Sequence, residues 1–284
     1  MPSIDVSRSR FRLTDEHLIV LSELAADRPV DEEFAAARKE AEDSGLVTAD
    51  GRLVQALLPL VQTFLAPGVV ISLEAGSRQG TLHHGMLIGD EHVVVHEAWP
   101  GEAEQEYSLV EPKTLVWKLA SMVNLRQGPA TRETALTAVE TTVSGVESAL
   151  AALKAVAGPG RTVEDERNAV RQALAAAGTL GEPALSLLAE LVTELRCSWR
   201  MTAAWQAERD HQDGVEGRGF AVWDCGPLGY WLRELPQEPL PAEEITPASP
   251  FRLVRTDAKS VWSLIADLLP DAEEVRAARA AAGR

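Results

Sequence analysis

Four histidines crowd one short stretch of the chain: His83, His84, His92 and His96. The alternating runs TLHHGMLI and HVVVHEAW place them on two adjacent strands, and a three-residue turn at Gly89-Asp90-Glu91 sets His84 opposite His96. Imidazoles paired in this way, with Glu74 or Glu97 as a carboxylate, are ligand types that zinc or another transition metal accepts. No third ligand has a defined spacing, so half-exposed strand histidines without a metal are the plainer expectation. Cys225 is the second candidate. It sits in VWDCGPLGYW, a turn where a thiol nucleophile could be displayed, with His211 upstream. Nothing in the sequence supplies an oriented base or an oxyanion site, which favours a structural cysteine there and a core position for Cys197. Glycine-rich phosphate loops, the nucleophile elbow and the helical zinc-protease pattern are missing. The expectation is therefore a protein without enzymatic activity, metal or cofactor.

Bulk properties narrow the partners. The 284 residues include 27 basic and 43 acidic side chains, for a formal charge of −16, and 45% are hydrophobic. That apolar share is enough to bury a sizeable core. The net charge repels nucleic acid and anionic lipid surfaces. Two cysteines exclude a disulfide framework and fit a reducing compartment. The opening MPSIDVSRSRFRLTDEHL lacks a signal-peptide pattern, and no apolar run of spanning length follows. A cytoplasmic protein with no membrane span is expected.

The elements that would carry these residues come in a recognisable order. Helical spacing runs from Leu13 to Leu24, capped by Thr14 or Asp15, and a second helix spans about Asp31 to Asp43. Gly45 ends it. GLVTADGRLV is then a hairpin-like connector with Asp50-Gly51 as its turn, and a helix from Val54 to Leu65 follows. Four strands, Val69–Ala75, Thr81–Ile88, His92–Trp99 and Glu106–Val110, form an antiparallel meander before a helix over Pro112–Val123. Leu136, Val139, Val143, Val146, Leu150 and Leu153 alternate spacings of three and four, which predicts a long helical hairpin over 132–177 that reverses at Gly158-Pro159-Gly160. A helix through Leu185–Leu195 comes next. Strands follow near CSWRMTAAW, GFAVWD, GYWLREL and FRLV, and then a helix over Asp257–Leu269.

That order repeats. YSLVEPKTLVWKLASMV (107–123) and FRLVRTDAKSVWSLIADLL (251–269) each join a strand ending in Leu-Val to a helix carrying Val-Trp-x-Leu. Trp117 pairs with Trp262 in this alignment. The predicted fold is α+β: a pseudo-twofold, duplicated helix-sheet unit with antiparallel sheet, flanking helices and a central helical hairpin. The repeats are placed at 10–128 and 130–270, with 271–284 as a frayed tail. Trp199, Trp205, Trp223, Tyr230 and Trp231 concentrate in the second meander, where such residues either fill a core or anchor an interface. The long hairpin is a second candidate dock for a helical partner. A winged-helix regulator is the remaining alternative, resting on the connector alone. The acidic DEEFAAARKEAED helix argues against it.

The combination of helix pair, Gly45–Arg52 connector, meander, hairpin and second meander resembles the EspG family of type VII (ESX) secretion-associated proteins. The resemblance implies a quasi-twofold fold and a cytosolic, non-enzymatic chaperone that keeps helical PE–PPE pairs soluble by covering the apolar tip of the PPE protein. It also implies partner contact through the positions matching a loop between early strands, here Gly76, Ser77, Arg78, Gln79 and Gly80, and through the return helix of the hairpin. That loop is short in this chain, so another helical secretion substrate is an equal expectation. Adding the aromatic-rich sheet, the candidate contact residues become Gly76 to Gly80 with Trp205, Trp223, Tyr230 and Trp231. The protein itself is expected to be a monomer or homodimer.

Overall fold

The computed structural model describes residues 2–128, 130–158, 160–178, 180–209, 212–235, 244–271 and 273–274. In the N-terminal half, β1 (Ser3–Asp5) and β2 (Arg10–Leu13) precede α1 (Asp15–Ala25), α2 (Ala35–Asp43) and α3 (Leu58–Leu65). Then come β3 (Val69–Ser77), β4 (Gly80–Ile88), β5 (Val93–Glu97), β6 (Gln105–Val110) and α4 (Leu115–Met122). The C-terminal half runs β7 (Ala138–Thr142), α5 (Val143–Val156), α6 (Val163–Ala177), α7 (Ala184–Thr193), β8 (Cys197–Arg209), β9 (Gln212–Asp224), β10 (Tyr230–Arg233), β11 (Pro250–Thr256) and α8 (Ala258–Asp267).

Local chemistry explains the helix ends. Thr14 caps α1 by accepting from the His17 backbone N–H, and the His17 ring reaches back to the Thr14 backbone, a box in which histidine replaces the usual Glu or Gln. Thr162 and Asp165 form the same reciprocal box at α6, which ends at Gly178 in the left-handed region (φ 68°). Asp257 caps α8.

Among the described residues the strands join one antiparallel sheet of eleven in the order β1-β2-β6-β5-β4-β3-β8-β9-β10-β11-β7. Outward from the central β3/β8 pair, β3-β4-β5-β6-β2 is answered by β8-β9-β10-β11-β7. Each half runs strand, three helices, four-strand meander, helix, as the pseudo-twofold α+β expectation requires. Because side chains alternate across a strand, the sheet has two covered faces. On one, α4 and α8 close a core drawn from both halves, including Ile71, Leu73, Val95, Leu119, Met201, Val222, Val261 and Ile265. Fully burying one such aliphatic side chain contributes about 1.5–3 kcal/mol. On the other face, α1–α3 cover β2, β5 and β6 through Phe11, Leu13, Val94 and Tyr107. There α5–α7 cover β7 and β9–β11 through Val139, Trp223, Trp231 and Leu253. The two Val-Trp-x-Leu helices meet each other, with Trp117 and Trp262 edge to face at a centroid distance of 4.5 Å.

Two expectations are corrected. The helical hairpin begins at Val143, not near 132, because 138–142 is strand β7, paired with β11 from Pro250↔Thr142 to Val254↔Ala138. The β-branched residues Val139, Thr141 and Thr142 suit an edge strand, and the Thr142 side chain then caps α5 through the Gly145 N–H. The N-terminal segment ahead of Thr14 is also strand, β2 pairing with β6. The tail 271–284, expected to be frayed, falls mostly outside the described residues.

Candidate functional site

The histidines do not converge. The β4–β5 loop holds four residues, Gly89 to His92, closed by Gly89 N–H to His92 O at 2.9 Å, so the register pairs Gly85, not His84, with His96. A slip of one residue sends the two rings to opposite faces. His84 takes a hydrogen bond from the Ala98 N–H at 3.1 Å on Nδ1, near the partly buried Lys118–Glu97 pair at 2.6 Å. His96 stacks on Tyr107 at 5.1 Å and bonds Gln105. Burial lowers the proton affinity of both rings below the ordinary histidine value. Among the described residues no group of three or more His, Cys, Asp or Glu is arranged to hold a metal ion.

Cys225 is fully buried, and burial first, then Asp224 and Glu194, pushes its thiol well above the usual range. A protonated, inaccessible thiol is no nucleophile. His211 lies outside the described residues. The GLVTADGRLV connector closes on itself through a Val47–Leu53 bridge and Thr48 bonds to Asp50 and Arg52.

The residues expected to touch a partner divide into two groups. Gly76 to Gly80 form the tight β3–β4 turn, with Ser77 opposite Gly80 and Gln79 N–H bonding Ser77 Oγ. Arg78 reaches from this turn to the second half, where it forks onto Glu166 of α6 at 3.0 and 2.9 Å and donates to the Thr193 carbonyl of α7 at 3.1 Å. The loop and the return helix named by the resemblance are thus in direct contact with each other. Trp205, Trp223, Tyr230 and Trp231 are instead core. Trp205 and Tyr230 face α4 and α8, while Trp223 and Trp231 face α5–α7. Trp231 has no exposed surface and donates its indole N–H to Leu228 O, and the Tyr230 hydroxyl accepts from the Arg126 N–H. Each of the four points to the side of the sheet that helices cover, so none of them is outward.

The open surface lies between the helical layers. Between the cores closed by α1–α3 and α5–α7, the centre of that sheet face is floored by Gly85 of β4, Val70 and Ser72 of β3, Thr202 and Ala204 of β8, and Gly217 and Gly219 of β9. Val70, Ser72, Gly217 and Gly219 are exposed. The strands approach closely here: a β-carbon at Gly219 would lie 2.9 Å from Thr202 Cγ2, and one at Gly217 3.0 Å from Ala203 O. The floor is consequently low and small-featured. Both helical layers also carry exposed apolar side chains, Phe64 and Leu65 on α3, Leu150 on α5 and Val163 on α6. Along one edge the register sets a charged row: His83, Glu74, Arg200, then Arg233 beyond Ala221. The sequence signal for the floor was present as small residues at alternate positions, Thr202 and Ala204 interleaved with Met201, Ala203 and Trp205, but the large residues drew the reading.

Among the described residues no helix is long and apolar enough to cross a membrane. Comparison with protein families and with curated proteins finds no match. Among solved structures, the chain is similar in fold to the Mycobacterium tuberculosis type VII secretion system chaperone EspG5, solved in complex with a PE25–PPE41 dimer. The TM-score is 0.51 and the identity 14%, over 92% of this chain and 97% of that one.

Proposed function

We propose that the protein is a non-enzymatic chaperone of the EspG type, which lays an apolar helical segment of a secretion substrate on the open floor between its two helical layers. The observation that carries this reading is the floor itself: a sheet centre of small side chains in which Val70, Ser72, Gly217 and Gly219 are exposed, in a fold that a type VII secretion chaperone shares. Small residues let a helix approach the sheet closely, and the helical layers on either side carry exposed apolar side chains such as Phe64, Leu65 and Val163. Burial contributes about 25 cal/mol per Å² before association costs are subtracted. The partner is a PE/PPE-like pair or another helical substrate held in the cytoplasm before export. The turn at Gly76–Gly80 and helix α6, joined by Arg78, wall one end of the floor.

Co-expression with helical secretion substrates encoded beside the gene tests this. Their soluble yield should rise, and the double substitution Thr202→Trp, Ala204→Trp, which fills the floor, should remove the gain without unfolding the chain. If no substrate gains solubility, or the filled floor works as well as the native one, the chaperone reading fails.

A further inference from the structure

Ala221 lies directly between two arginines. The register pairs it with Arg200 of β8 on one side and Arg233 of β10 on the other. All three side chains are on the floor side of the sheet. Two strand spacings, roughly 10 Å, separate the arginine backbones. Ala221, buried between them, contributes only a methyl group. Arg200 is exposed, while Arg233 is half-buried with its guanidinium 4.5 Å from the centre of the Phe251 ring. Burial first, and the charge of Arg200 second, hold Arg233 below its ordinary proton affinity.

Neither guanidinium has a carboxylate partner among the described residues; Glu74, the cross-strand neighbour of Arg200, does not reach ion-pair distance. Carboxylates are not scarce, since acids outnumber bases 43 to 27. Arg132, Arg167, Arg171 and Arg252, also in the second half, each hold one. The two positive charges therefore lie one strand apart across Ala221, and among the described residues no ion pair holds either of them at the edge of the open floor.

We propose that Arg200 and Arg233 together receive one oxyanion, and that in use it is the carboxylate of an Asp or Glu side chain on the polypeptide that occupies the floor. The second clause rests on the chaperone reading; the first does not. Two planar forks converging on one group give it charge-assisted hydrogen bonds from both sides. The chain's net charge of −16 and the adjacent Glu74 penalise a dianionic phosphate more than a single carboxylate. A partner with an acidic residue on an otherwise apolar helix face would thereby be told apart from one without it.

The test titrates acetate and, separately, inorganic phosphate into the full chain while arginine Nε–H signals are followed by NMR, with assignments from Arg200→Gln and Arg233→Gln. Both signals should move together and saturate with acetate, and either single substitution should weaken the response about tenfold. Signals that move without saturating, in step with the exposed Arg52, overturn the receptor. A second arm uses an amphipathic helical peptide with Glu in its apolar face and its Gln twin. The Glu peptide should bind the native chain about tenfold more tightly, and the two should bind the double arginine variant equally. Equal binding to the native chain, or a response to phosphate alone, overturns the carboxylate source. Saturable acetate binding with no binding of either peptide overturns the floor reading and leaves the anion receptor standing.

Discussion

His84 and His96 both sit in surroundings that favour the neutral ring, and their effect on stability has a definite sign. Burial lowers the folded-state pKa of each, so below about 6.5 the unfolded chain binds more protons than the folded one. Their contribution is neutral above that value and becomes a loss as pH falls through it. The urea midpoint should therefore drop between pH 7.5 and 5.5, and His84→Gln with His96→Gln should shrink that drop; an unchanged slope in the double variant would place the cause elsewhere. That both histidines lie in strands was legible from the alternating runs. Their mutual register was not, because it hung on whether His92 belongs to the strand or to the loop. Arg200 and Arg233 were legible only as residue types, since what makes them a pair is the strand between them.

Among the elements, α6 owes its start to the Thr162/Asp165 box, in which the Thr162 N–H and hydroxyl both donate to Asp165 Oδ2 at 2.9 and 2.8 Å. Thr162→Ala should cost about 1 kcal/mol in denaturation experiments, and Thr162→Ser should restore most of it. This box could be read from spacing alone because its partners are three residues apart. Strand β7 could not. The three-and-four spacing of Leu136, Val139 and Val143 runs on into the real helix α5, and the evidence for a strand is its ladder with β11, far along the chain. The β-branched Val139, Thr141, Thr142 and Val143 were the available local signal, and a helical stripe masked it. The four aromatic residues of the second meander follow the same logic: alternation told which residues share a face, but not that helices cover the face each of them is on.

At the scale of the whole molecule, the halves are joined by backbone pairing of β3 with β8 and by one core that α4 and α8 close together. Residues from both halves fill that core, so neither keeps its packing if the other opens. Equilibrium unfolding should then be a single transition, with tryptophan fluorescence and far-ultraviolet circular dichroism coincident; two separated steps would show the halves to be independent. The repeat itself was visible in the sequence through its Val-Trp-x-Leu helices, whereas the seam was not, since any two edge strands carry the groups that form a ladder. The place where those helices meet has a spectroscopic consequence. Trp117, 68% exposed, and Trp262 lie at 67° to each other and close enough for their excited states to mix. Their near-ultraviolet signal should be a coupled pair of opposite sign, a reporter built in at the pseudo-twofold junction that collapses when the halves shift against one another and needs no label to be read.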